Sequence, residues 1–96
     1  MVKVVAKNYI KADKVNEFIA IAKQLVKDTN EKDAGCICYE LFQDTSNPQV
    51  LTIIEEWEDM KSLNEHMQAA HFKEATSAFP AFEEKPGEVN LYGKLA

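Results

Sequence analysis

A chain of 96 residues is long enough for one hydrophobic core and too short for two, so we expect residues 1–96 to form a single domain. The formal net charge is −5 and no arginine is present, which argues against nucleic acids and anionic membrane surfaces as partners. No apolar stretch approaches the length of a membrane span and the N-terminus lacks a secretory signal pattern, so we expect a cytoplasmic protein.

The first half of the chain predicts a strand, a helix and a second strand. Apolar residues alternate from Val2 to Ile10, which is the period of a strand. Asp13 is a candidate N-cap for an amphipathic helix that ends near Asn30. A second strand is expected from Cys36 to Gln43.

The second strand is predicted to form an antiparallel hairpin with a third strand from Val50 to Glu58, because only a short run of turn-forming residues separates them. Cys36 and Cys38 are two residues apart in extended chain, so both side chains should point to one face. That arrangement is badly placed for a mutual disulfide, and we expect two buried thiols.

A helix should follow the third strand, with Met60, Leu63 and Met67 on its buried face. Phe72 would point to water if that helix continued unbroken, so we predict a break near residues 70–71. A short second helical segment should then stop before Pro80.

The end of the chain predicts a last strand, which alternates from Val89 to Leu95 after a turn at Pro86-Gly87. The complete order is strand, helix, strand, strand, helix, strand. It predicts an α+β, ferredoxin-like split βαβ fold with an antiparallel sheet and both helices on one face. Because both sheet faces carry apolar residues, we expect a second copy to cover the other face in a homodimer.

The two histidines are the first candidates for chemistry. His66 and His71 are five residues apart, about 140° on a continuous helix, so they should not share a metal. No metal-binding or nucleotide-binding motif is present, and we expect neither a metal nor a cofactor. His71 is the stronger candidate for a proton acceptor, because a helix N-terminus at the predicted break would disfavour imidazolium. Each histidine can equally be a structural residue at the edge of the core.

Several other side chains fit either a ligand pocket or an ordinary structural role. Asn8 is a polar residue on the more apolar face of the first strand, where a hydrogen-bonded amide is the alternative to a site residue. The aromatic residues could line a pocket for a flat apolar ligand or simply fill the core. They are Trp57, Phe72, Phe79 and Phe82.

Five short segments and Leu63 form a pattern that spans nearly the whole chain. The segments are Gly35-Cys36, Tyr39-Glu40-Leu41, Glu55-Glu56-Trp57, Glu65-His66 and His71-Phe72-Lys73. Together they resemble the antibiotic biosynthesis monooxygenase domain and, within it, the small quinol monooxygenase-like proteins. The resemblance implies a dimeric α/β barrel with a pocket between sheet and helices in each subunit, and the oxidation of quinols or anthrone-type aromatics by O₂ without a metal or flavin.

The resemblance also implies roles for the candidate residues. A base would remove a phenolic proton from the substrate, with His71 the first choice and His66 the second. Asn8, Trp57 and Tyr39 would orient or stabilise the resulting anion. The phenylalanines would line the substrate site.

Related branches leave three alternatives open: an autoinducer-2-type isomerase, a non-catalytic ligand-binding or stress-related dimer, and haem degradation. Haem degradation is disfavoured, because Thr76 stands where the haem-degrading relatives have a histidine ligand.

Overall fold

The computed structural model describes residues 1–96, which form four strands and three α-helices. Two short 3₁₀ turns, Ala12–Lys14 and Phe79–Ala81, precede the first α-helix and follow the third. The predicted ferredoxin-like α+β fold is confirmed. In chain order the elements are β1 Val2–Ile10, α1 Val15–Lys32, β2 Cys36–Gln43, β3 Val50–Trp57, α2 Met60–Gln68, α3 Ala70–Ala78 and β4 Glu83–Gly93.

The four strands form one antiparallel sheet in the order β2-β3-β1-β4. Burial alternates along all of β3, so every second side chain of that strand faces the helices. Helix α1 packs against β2 and α3 on this inner face. None of the helices combines the length and apolar character needed to cross a membrane. The core residues are Val4, Ile10, Phe18, Ala22, Leu25, Tyr39, Leu51, Ile53, Trp57, Leu63, Ala75 and Phe79.

A β-bulge at the start of β2 changes the faces of its side chains. Cys36 pairs with Trp57 whereas Cys38 pairs with Glu56, which leaves Ile37 as the extra residue. Because paired residues point to the same face, Cys36 faces the helices and Cys38 faces outwards. The expectation that the two thiols share one face is therefore wrong. Both cysteines are free, and both are half-buried rather than buried as predicted.

The starts of the helices differ from the predicted caps. Asp13 lies inside the 3₁₀ turn before α1 and its side chain makes no capping hydrogen bond, so the predicted N-cap is wrong. Helix α2 does have a side-chain cap, since Asp59 accepts a hydrogen bond of 2.8 Å from the backbone N–H of Ser62. On α2 itself, Met60 and Met67 are exposed rather than buried, and His66 occupies the core beside Leu63.

Strand β4 begins earlier than predicted and runs through Pro86-Gly87 instead of starting after it. An edge strand tolerates proline because one row of its N–H groups has no partner. The register between β1 and β4 shifts at this point, so these two residues lie opposite Asn8 without a regular pair. A Cβ at Gly87 would come within 2.7 Å of the carbonyl oxygen of Lys7, which explains why glycine fits here.

Candidate active site

A cavity of about 350 Å³ lies between the inner face of the sheet and the helices α2 and α3. Its walls are mainly apolar, with contributions from all four strands and all three helices. Seven of the lining residues have polar side chains, and a concave apolar site with a few converging polar groups is typical of small-molecule sites. They are Lys7, Asn8, Tyr39, Glu55, His66, Thr76 and Glu83.

His66 is the most deeply buried of these polar groups, with a relative exposure of 1%. Its Nδ1 lies 2.6 Å from Oδ2 of Asp33, the residue that caps the C-terminus of α1. A carboxylate only accepts hydrogen bonds, so Nδ1 carries the proton and Nε2 carries a lone pair. Nε2 has no hydrogen-bond partner in the protein, and His66 lines the cavity. This nitrogen is therefore a buried acceptor that no protein group satisfies.

Burial also favours the neutral form of this imidazole. Desolvation lowers the pKa of His66 below its usual value, while the hydrogen bond and the charge of Asp33 oppose the decrease. The result is a neutral base with a carboxylate behind it, which is the arrangement that general bases use.

His71 binds the same carboxylate oxygen from the other side. Its Nε2 lies 2.9 Å from Oδ2 of Asp33, and its ring centre is 6.0 Å from that of His66. Helix α2 ends and α3 begins at Ala69, whose ψ of 146° is extended. The predicted helix break is therefore confirmed to within one residue. The break also overturns the expectation that a five-residue spacing separates the two rings. His71 does not line the cavity.

The three side chains also have the ligand types of a zinc site, and their ligand atoms all lie within 4.8 Å of one another. Zinc would need each nitrogen about 2.0–2.1 Å from a common point between the ligands. Here both ring nitrogens converge on the carboxylate oxygen itself, at hydrogen-bond lengths of 2.6 and 2.9 Å. We therefore describe Asp33, His66 and His71 as a hydrogen-bonded triad.

The turn after α1 positions Asp33 for these contacts. Gly35 has a φ of 82°, in the left-handed region that side chains disfavour. A Cβ at this position would lie 2.2 Å from Oγ of Ser62 in the first turn of α2. Glycine thus allows the end of α1 and the start of α2 to approach closely, which brings Asp33 to the histidines.

Glu55 is a functional candidate that the sequence interpretation missed. It points to the inner face of β3, has a relative exposure of 5% and lines the cavity. Its Oε1 accepts a hydrogen bond of 2.9 Å from Nε1 of Trp57. Burial raises the pKa of Glu55 to about 7, although the indole hydrogen bond opposes that effect. The sequence did contain a signal for a buried acid: Glu55 is the one charged residue in register with Leu51, Ile53 and Trp57 on an alternating strand.

Two aromatic side chains hold the imidazole of His66 in place. The indole of Trp57 is fully buried, with its ring centre 4.6 Å from that of His66, and it does not line the cavity. Tyr39 does line the cavity, and its ring centre lies 5.2 Å from that of His66 in an edge-on arrangement. Burial raises the pKa of the Tyr39 phenol, so this hydroxyl stays protonated at neutral pH.

The remaining predicted residues divide between the cavity and its surroundings. Asn8 lines the cavity, but its amide nitrogen donates to the backbone oxygens of Ala6 and Leu51 at 3.2 Å each. Phe72 and Phe79 also line the cavity, whereas Phe82 packs against the core outside it.

The structure thus brings five of the eight predicted side chains to one cavity. Thr76 also lines it, and its hydroxyl donates to the carbonyl of Phe72 at 2.8 Å. The side chains that line the cavity are Asn8, Tyr39, His66, Phe72 and Phe79; those that do not are Trp57, His71 and Phe82.

Solved structures share this architecture, and a relative found by sequence matches most of the chain. A conserved protein from Methanosarcina mazei Go1 is 41% identical, with a TM-score of 0.93 over 98% of this chain and 92% of that one. A structure described as an antibiotic biosynthesis monooxygenase is 29% identical, with a TM-score of 0.94 over 100% of both chains. The uncharacterized protein sll1783 of Synechocystis sp. is 31% identical over 83 residues, and the match spans 86% of this chain but only 56% of that relative.

The family model described as antibiotic biosynthesis monooxygenase matches residues 1–78, which contain the triad, Glu55 and most of the cavity wall. The segments that suggested this family in the sequence all lie within the matched range. The chain belongs to the antibiotic biosynthesis monooxygenase family.

Proposed function

We propose that this protein oxidises a small electron-rich aromatic substrate of the quinol or anthrone type with O₂, and that His66 is the base. One observation carries the proposal: the neutral His66 lines an apolar cavity, its buried Nε2 has no protein partner, and Asp33 holds Nδ1 at 2.6 Å. Family membership supports oxygenase chemistry in general. The choice of His66 reverses the order expected from the sequence, in which His71 came first.

The first step transfers the phenolic proton of the substrate to Nε2 of His66. The imidazolium that forms is stabilised by the carboxylate of Asp33, as in other base and carboxylate pairs. The substrate anion then supplies the electrons that reduce O₂: one oxygen atom enters the substrate and the other leaves as water. An apolar cavity favours this step, because it keeps water from the reactive anion.

The surrounding residues position this base. His71 donates to Asp33 from outside the cavity, which fixes the carboxylate in the orientation that His66 needs. Trp57 and Tyr39 restrict the imidazole ring, and Phe72 contacts it edge-on with ring centres 4.8 Å apart. Phe72 and Phe79 supply the flat apolar surface on which an aromatic substrate would lie.

The test is an oxygen-uptake assay on metal-free protein with a panel of quinols and anthrones. His66→Gln should lower kcat by about 10²–10⁴-fold, the usual cost of losing a general base. His71→Gln should have a smaller effect, because it loosens Asp33 without removing the base. A larger loss of kcat in His71→Gln than in His66→Gln would show that His71 is the base. Substrate binding without oxygen uptake by the unmodified protein would instead indicate a ligand-binding module.

We also propose that a second copy covers the outer face of the sheet. Apolar side chains lie on that face at Val5 and Ile54, which are paired across β1 and β3, and at Phe42 on β2. Val5 and Ile54 are half-buried and Phe42 is 46% exposed. Burying this patch between two sheets would remove it from water, which favours the symmetric dimer implied by the family resemblance.

A further inference from the structure

Glu55 is a second proton-carrying group in the cavity that the oxygenase mechanism does not require. We propose that the cavity also catalyses the O₂-independent interconversion of the keto and enol forms of a neutral ketone that has a benzylic CH₂ next to its carbonyl, with His66 as base and Glu55 as acid. The inference shares the base with the proposed function and adds a distinct activity, one that needs no oxidant.

The geometry places both groups around the same indole. Glu55 Oε1 accepts from Nε1 of Trp57 at 2.9 Å, and the Trp57 ring packs against His66 with ring centres 4.6 Å apart. Both Glu55 and His66 line the cavity. The indole engages only one oxygen of the carboxyl group, so Oε2 has no protein hydrogen-bond partner, and Nε2 of His66 has none either.

The protonation states of the two groups complement each other. Burial favours the uncharged form of each side chain: it raises the pKa of Glu55 to about 7 and lowers that of His66. An uncharged carboxylic acid donates a proton, and an uncharged imidazole accepts one. An acid and a base that are both ready near neutral pH are the requirement for concerted enolisation.

The proposed step is balanced within the substrate and these two residues. His66 Nε2 takes a proton from the carbon next to the carbonyl, and the electron pair of that C–H bond becomes the C=C bond of the enol. The carbonyl π electrons move to oxygen, which takes the proton of Glu55. The reverse step returns both protons and regenerates the ketone, so no electrons are gained or lost.

The cavity wall indicates the class of ketone. Most of the lining is apolar, including Ile53, Leu63 and Phe72, so a neutral planar ligand fits better than a charged one. A suitable probe is 2-tetralone, a bicyclic ketone with a fused benzene ring, whose benzylic CH₂ lies next to the carbonyl.

The experiment follows deuterium incorporation into the benzylic position of 2-tetralone by proton NMR, in anaerobic D₂O buffer near neutral pH. The protein should accelerate exchange over buffer, and Glu55→Gln should lower that acceleration at least tenfold, because glutamine retains an acceptor for Trp57 but cannot transfer a proton. The matched control is Glu56→Gln, since Glu56 is on the outer face in an ion pair of 3.5 Å with Lys3. This control should exchange at the unmodified rate.

Unchanged exchange in Glu55→Gln, or no acceleration by the unmodified protein, would overturn the inference. If Glu55→Gln does not fold, the pH profile of the unmodified protein tests the acid role instead. The catalysed exchange rate should fall as Glu55 ionises above about pH 7, and a rate that keeps rising would refute that role. Anaerobic exchange without oxygen uptake on quinols would overturn the proposed oxygenase alone, whereas oxygen uptake without exchange would overturn this inference alone.

Discussion

Replacing Glu55 by glutamine should stabilise the protein, and the gain should grow with pH. The folded state holds the pKa of this carboxyl at about 7 against an ordinary value of 4.5, chiefly because the side chain is buried. At about 1.4 kcal/mol per pKa unit, ionising Glu55 costs the fold about 3 kcal/mol once the pH is above both values. The unfolded chain releases its proton near pH 4.5, so the folded state binds more protons between these limits and its stability falls as pH rises.

Glutamine has the same shape and keeps an oxygen for the Trp57 indole, but it does not ionise. The free energy of unfolding of Glu55→Gln, relative to the unmodified protein, should therefore increase by about 2–3 kcal/mol between pH 5 and pH 8. Taking this difference cancels the contributions of other titrating groups such as His66. Urea unfolding followed by tryptophan fluorescence measures it at each pH.

The control for this experiment is again Glu56→Gln, one residue along the same strand but on the exposed face. Its difference from the unmodified protein should change little with pH, because surface ion pairs contribute little. If the Glu55→Gln difference is flat between pH 5 and pH 8, Glu55 is ionised throughout that range. The acid role proposed for it would then lose its basis.

Three further outcomes are expected. Gly35→Ala should lower the free energy of unfolding by about 2 kcal/mol or more, because φ is 82° and the new Cβ would collide with α2. The control is Gly93→Ala, which should change it by less than about 0.5 kcal/mol because nothing lies within 4 Å of its Cβ. Asp33→Asn should lower the pKa of His66 further in an NMR titration, because Asp33 raises it; an unchanged or higher value would contradict the hydrogen bond between Asp33 and His66. Ile54→Asp should convert a dimer into monomers in sedimentation at micromolar concentration, and a monomeric unmodified protein would refute the dimer proposal.

The sequence by itself determined the order of elements and most of their boundaries. Alternating residues identified the bounds of β2 and all but the last residue of the predicted β3. Phe72 would have faced water on an unbroken helix, and this conflict located the helix break to within one residue. These features depend on neighbours in the chain, whose periodicity reports which face is buried. The family resemblance rested on equally local segments. The predictions that failed, such as the Asp13 cap and the late start of β4, concern the ends of elements. Neighbouring turns and sheet edges determine where a helix or strand begins.

Only the tertiary structure decided which residues meet in the cavity. Asp33 lies 33 positions before His66 and 38 before His71, and no local pattern connects them. The break at Ala69 turns the second ring towards the first, and the turn at Gly35 delivers the carboxylate. The same packing buries Glu55 beside Trp57 and so changes its acidity. Side-chain chemistry of this kind depends on burial and long-range contacts, which is why the sequence named both histidines but could not show which one carries the free nitrogen.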